Sequence, residues 1–150
     1  IVQSAATLSG KKIAIRPGET ITTGVDGTAA RLRRNDYGGL EIYCREVGQY
    51  ATFDKMRLRG TRNVTLRRLK STAVAEVKLL LTGEEANNVS GITIDQCWLS
   101  GVVADPNGDY TTSSNYPNFG IDMLTTGGSA INSVGSLTIT NNIIEWCGSG

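Results

Sequence analysis

Two acidic residues stand where short strand-like runs would turn them outward. Asp95 ends Ile-Thr-Ile-Asp (92–95), and Asp122 lies inside Ile-Asp-Met (121–123). Two carboxylates about 5–9 Å apart can hydrolyse a glycosidic bond, one giving a proton while the other attacks or activates water. With Arg67, which ends Val-Thr-Leu-Arg (64–67) one repeat earlier, they could instead serve a lyase as base and cation site. The plainer alternative is a set of solvated surface acids. The chain has no His, which excludes imidazole acid–base chemistry and His-ligated metals. Cys44, Cys97 and Cys147 match no zinc spacing, and their odd number argues against a disulfide framework. They read as reduced, small apolar residues, and no metal site is expected.

Two further regions suggest binding. Residues 102–119 carry Asp105, Asn107, Asp109, Tyr110 and Tyr116 in a stretch rich in turn formers. Long loops on rigid scaffolds commonly carry function. The tyrosines could stack on sugar faces while the acids and amide bind hydroxyls; the alternative is an insertion without consequence. Trp98 falls between Cys97 and Leu99, whose parity turns them inward, so the indole should face out. An outward Trp is a sugar platform, a subunit contact, or a ring covered by a neighbouring loop.

These residues need elements to position them, and the elements repeat. Abundant Gly (18) with few aromatics (6%) favours many short strands joined by tight turns over a helical bundle. Apolar and polar residues alternate in short runs, the signature of a strand with one buried face. One series has inward pairs Ile13/Ile15, Leu40/Ile42, Val64/Leu66, Ile92/Ile94 and Leu137/Ile139, at steps of 27, 24, 28 and 45 residues. A second runs Leu32, Leu58, Leu81, Met123 at steps of 26, 23 and 42. Both keep one rhythm, including the long last step. A third strand follows the first series at 51–53, 69–71, 97–99 and 143–145. Three strands per turn of about two dozen residues describe a solenoid whose core exists only through stacking. A β-sandwich also has many short strands, but would not hold one strand order in phase. The predicted fold is all-β: a right-handed parallel β-helix of about five rungs, one domain over 1–150. Residues 1–10 are a candidate N-terminal cap and 102–119 an inserted loop.

Asn63-Val-Thr-Leu-Arg-Arg-Leu-Lys-Ser71, Gly91-Ile-Thr-Ile-Asp-Gln-Cys-Trp-Leu-Ser-Gly101 and Ser136-Leu-Thr-Ile-Thr-Asn-Asn-Ile-Ile-Glu145 resemble rungs of the pectate-lyase-like superfamily, over roughly residues 11–147. Its members include polysaccharide lyases, polysaccharide hydrolases and phage tailspikes. The resemblance speaks for fold, and only weakly for activity. It implies an Asn column at a turn, here filled by Leu69, Cys97 and Asn142 and therefore incomplete. For a lyase it implies several acidic ligands for Ca2+, of which a third is not found beside Asp95 and Asp122. Cys147-Gly-Ser-Gly150 would stop partway round a rung, so the expectation is a fragment without its C-terminal cap.

Charge is unevenly placed. Up to Lys78, fifteen basic residues against seven acidic ones leave +8, while the remainder has seven acids and no base. Phasing stacks Arg31 on Arg57 and Arg33 on Arg59. Like charges on adjacent strands repel, so the strip gains from an anion laid across it, an acidic glycan or an acidic neighbour. Otherwise these arginines are solvated and relieved by loop carboxylates such as Asp36, Glu46 and Asp54. Nucleic acid would also suit cations, but exposed aromatics are not interleaved with them. No apolar run approaches the length of a membrane span; the chain shows no charged-then-apolar signal peptide, and its start at Ile1 without Met reads as a processed or cut N-terminus. The expected function is that of a carbohydrate-recognising β-helix in a virion spike or tail fibre, trimeric or larger, virion-borne or extracellular. The rivals are a secreted polysaccharide lyase or glycoside hydrolase, and a purely structural shaft.

Overall fold

A computed structural model describes residues 8–21, 30–33, 35–53, 56–71, 79–83, 88–100, 121–124 and 134–145. Their regular structure is strand, arranged in three parallel sheets. Sheet A contains β1 (Lys12–Ile15), β4 (Asp36–Cys44), β7 (Arg62–Arg67), β10 (Ser90–Asp95) and β13 (Leu137–Thr140) in that spatial order. Sheet B contains β2 (Thr20–Ile21), β5 (Ala51–Phe53), β8 (Leu69–Ser71), β11 (Trp98–Ser100) and β14 (Ile143–Glu145). Sheet C contains β3 (Ala30–Arg33), β6 (Met56–Arg59), β9 (Leu79–Thr82) and β12 (Ile121–Leu124). The chain visits A, B and C in unbroken rotation, so each strand pairs with the one three elements later. We call one A–B–C visit a tier.

The register explains why alternation was the informative signal. Leu40, Val64, Ile92 and Leu137 stand in one column, and Ile42, Leu66, Ile94 and Ile139 in the next. In sheet C, Leu32, Leu58, Leu81 and Met123 form a single column. A strand exposes alternate side chains on opposite faces, so repeating the alternation in register gives one continuous apolar stack. Leu40, Leu58, Leu66, Leu81, Ile92, Ile94 and Leu99 are all essentially fully buried. Burial weakens in the outer tiers. Ile13 and Ile15 are half-buried, and Ile139, Ile143 and Ile144 are 44–46% exposed.

One part of the predicted register is corrected. Ile13 pairs with Ile42 and Ile15 with Cys44, two residues along from the expected Leu40/Ile42. The cause lies in β4, whose register with β7 shifts between Asp36 and Leu40, across Gly38 and Gly39, both at positive φ. A shift of two keeps every side chain on its face, so the apolar pattern tolerates it. The two-residue β2, paired with β5, is an additional member of the third series, too short to stand out in the sequence.

Tight bends mark where the chain enters and leaves sheet A. Entry into sheet A is marked by a column at positive φ: Gly39, Asn63, Gly91 and Ser136. Exit is marked in the later tiers by Arg68, Gln96 and Asn141, also at positive φ. Gly is required at position 91, where a Cβ would run into the Asn63 side chain. That amide is itself held by Asp36, to which Nδ2 donates at 2.8 and 3.0 Å.

Candidate functional site

The passage from sheet A to sheet B takes one residue in the third tier (Arg68) and two in the fourth (Gln96, Cys97) and fifth (Asn141, Asn142). So abrupt a turn sets the outward side chains of both sheets beside one edge. A non-glycine residue in the left-handed region costs about 1–2 kcal/mol, and local hydrogen bonds offset it. Arg68 Nε and Nη2 donate to the Cys44 carbonyl at 3.0 and 2.8 Å. The Asn142 amide accepts from the Cys97 N–H at 2.7 Å and donates to the Ile94 carbonyl at 2.8 Å. Asn142 stands in the column of Leu69 and Cys97, as aligned from sequence, and fastens the fifth tier to the fourth.

On the sheet A side, Tyr43, Arg67, Asp95 and Thr140 form an outward column. Arg67 links three tiers: Nη1 meets Glu41 at 2.8 Å and Nε meets Asp95 at 3.0 Å. Glu41 also pairs with Lys12 at 3.3 Å. Asp95 accepts further from Thr140 Oγ1 at 3.0 Å and Asn141 Nδ2 at 2.9 Å. The Asn141 hydrogen bond, aided by Thr140 and Arg67 and opposed by partial burial, holds the Asp95 carboxyl below its ordinary range. Asp95 is therefore a fixed anion, suited to ordering cations and hydroxyls and ill suited to donating a proton near neutrality.

On the sheet B side, Lys70, Trp98 and Ile143 form the outward column. Trp98 is half-buried, as its outward parity required, and its ring is held on several sides. The Lys70 ammonium lies 3.6 Å from the ring centroid, Tyr50 meets it edge-on at 5.8 Å, and Nε1 donates to Glu145 at 2.8 Å. At the bend, the Arg68 guanidinium lies 5.7 Å from the Tyr43 centroid. Cations over aromatic faces are worth about 0.5–2 kcal/mol, more as water is removed.

The fold thus unites Asp95 with Arg67, chosen from sequence for different reasons, and puts Trp98 on the next strand of the same tier, in sheet B. It does not unite Asp95 with Asp122: the latter lies on β12 in sheet C, opposite Leu80, with its side chain outside the described residues. Arg31 pairs with Arg57 and Arg33 with Arg59, as phased. Arg57 and Arg59 are half-buried, while the Arg31 and Arg33 side chains are outside the described residues. Of the carboxylates expected to relieve this strip, Asp36 lies 3.9 Å from Arg62 and Glu46 3.3 Å from Arg45. Asp54, Asp105, Asn107, Asp109, Tyr110 and Tyr116 fall outside the described residues. Among the described residues no group of three His, Cys, Asp or Glu is placed to hold a metal, and no helix is long and apolar enough to cross a membrane.

Sequence reasoning missed Glu41, Tyr50, Arg68, Lys70 and Glu145. A usable signal existed for one of them: aligning Leu69 with Cys97 also aligns Lys70 with Trp98. No family model matches the chain, and no curated protein or solved structure matches it either.

Proposed function

We propose that the three sheets are the walls of a right-handed parallel β-helix and that the edge between sheets A and B recognises polysaccharide. The cyclic A–B–C strand order supports the coil, and right-handed crossovers prevail where parallel strands are joined. One observation carries the functional reading. An outward Trp98, held by Glu145 and met edge-on by Tyr50, lies on β11, and the preceding strand of the same tier ends in Asp95, whose carboxylate is fixed by Arg67, Thr140 and Asn141. Sugar recognition needs that combination, an aromatic surface for the apolar ring face and ordered donors and acceptors for hydroxyls. The setting we infer, from the resemblance of the rungs, is a virion spike or tail fibre that gains avidity by presenting several weak sites together.

Binding to a panel of immobilised polysaccharides tests this. Wild-type chain should retain at least one glycan, and Trp98→Ala and Tyr50→Ala should each weaken retention about tenfold, the loss expected for one aromatic contact. Retention unchanged in both variants, with their folding intact, would remove the reading. A structural shaft is the second reading, and the Glu41–Arg67–Asp95 network favours it, because these charges satisfy one another without a ligand. Catalysis at Asp95 has less support, since its oxygens are already engaged by Arg67, Thr140 and Asn141 and Asp122 lies in another sheet.

A further inference from the structure

Not all the cations at this edge are neutralised. Arg67 is balanced by two carboxylates, Glu41 and Asp95. Arg68, next in sequence, is held by neutral groups: the Cys44 carbonyl, the Gln96 side-chain oxygen at 3.4 Å, and the Tyr43 ring. Lys70, two residues on and in the same tier, is held against the Trp98 ring. Neither Arg68 nor Lys70 lies in an ion pair with any described carboxylate. Carbonyls and aromatic faces fix where a cation sits while leaving its charge uncompensated. The two flank the inward Leu69, Arg68 at the bend and Lys70 just past it on β8, both on the outer surface.

We infer that Arg68 and Lys70 form an anion subsite, which gives the polysaccharide edge its preference for sugars bearing a carboxylate or sulfate. This rests on the glycan reading above and adds the charge of the ligand and the residues that read it. An anionic group placed there would meet the unused N–H groups of the guanidinium and the three of the ammonium. Neither side chain needs to be reorganised first, so little side-chain entropy is lost on binding. Arg68 would keep its bonds to Cys44 throughout, and Lys70 would keep Trp98 as a wall.

The test compares three probes, alginate (carboxylate), dextran sulfate (sulfate) and dextran (neutral), by affinity electrophoresis at low and high NaCl. Wild-type chain should favour at least one charged polymer over dextran, with the advantage shrinking as salt rises. Lys70→Met keeps the apolar stem over Trp98, and it should cut binding of the charged polymer about tenfold, the worth of one charge-assisted hydrogen bond, and cut any dextran binding by much less. Arg68→Gln should act alike, and Lys11→Gln, an exposed lysine away from the bend, should change nothing. Should Arg68→Gln fail to fold, Lys70→Met decides alone. Alginate and dextran sulfate bound no better than dextran, or a preference unaffected by Lys70→Met, would overturn the subsite and leave glycan recognition standing. No retention of any probe would overturn both.

Discussion

Replacing Leu66 with Ala removes a side chain from the centre of the stack. Leu66 is 1% exposed, with Ile42 and Ile94 (9% and 1% exposed) as its partners on the strands either side. The neighbouring tiers are fixed by backbone ladders and cannot collapse into the space. Truncation of this kind costs about 2–5 kcal/mol, rising with the cavity left behind. Taking about 3 kcal/mol, a chain of this size should lose roughly 6–12 °C in Tm. Ile139→Ala truncates the same column two tiers away, where the side chain is 44% exposed. Only part of its transfer free energy is realised there, so the cost should be about 1 kcal/mol. Urea unfolding followed by far-UV circular dichroism measures both, with a lowered midpoint at constant slope as the signature of lost stability. Combining Leu66→Ala with Ile94→Ala should give a non-additive term of about 0.5–3 kcal/mol, because the two cavities merge. Equal losses at Leu66 and Ile139, or strict additivity of Leu66 and Ile94, would refute the stacked column.

Three further outcomes follow from local geometry. The lowered pKa of Asp95 contributes stability that is present above the unfolded-state value near 3.9 and is lost as pH falls through the lower folded value. Asp95→Asn should therefore flatten the acid limb of the stability curve below about pH 4, and an unchanged acid limb would contradict the hold of Asn141, Thr140 and Arg67 on the carboxylate. Gly91→Ala puts a Cβ against Asn63 at φ +64° and should cost more than about 1 kcal/mol, whereas Ser136, a non-glycine residue at the same turn one tier on, should accept Ala at smaller cost. Burial pushes the Cys97 thiol up to about 11, so in a Cys147→Ser background both buried thiols, Cys44 and Cys97, should resist a thiol reagent at pH 8 until urea unfolds the chain; rapid labelling of the native state would place one of them at the surface.

Much of the architecture was legible because alternation and cycle length report the same object. Val64, Ile92 and Leu137 fell into their column from spacing alone, and so did Leu32, Leu58, Leu81 and Met123. The miss at Ile13 is instructive: Leu40, Ile42 and Cys44 offer three inward positions in one strand, and parity cannot choose among registers two apart. The Gly38-Gly39 shift made the choice, a backbone effect that hydrophobicity does not encode. The candidate site was less legible. Trp98 was found by parity, a property of one strand, but Tyr50, Lys70 and Glu145 meet its ring from different tiers. Arg67 and Arg68 are adjacent in sequence, yet one is neutralised and the other is not. That distinction depends on what lies 24 to 28 residues away in either direction, Cys44 for one and Asp95 for the other.

The bend residues Arg68, Gln96 and Asn141 share one backbone conformation while their side chains differ completely. A position whose shape is dictated by its neighbours above and below is free to change its chemistry without moving the chain. In these three tiers the passage from sheet A to sheet B stays at one or two residues, while it is longer in the first two tiers and length also varies in other connections, such as that from β11 to β12. The edge between sheets A and B is in this sense a fixed type-bed: successive tiers can be reset letter by letter, and a ligand lying along it would meet new functional groups at unaltered spacing.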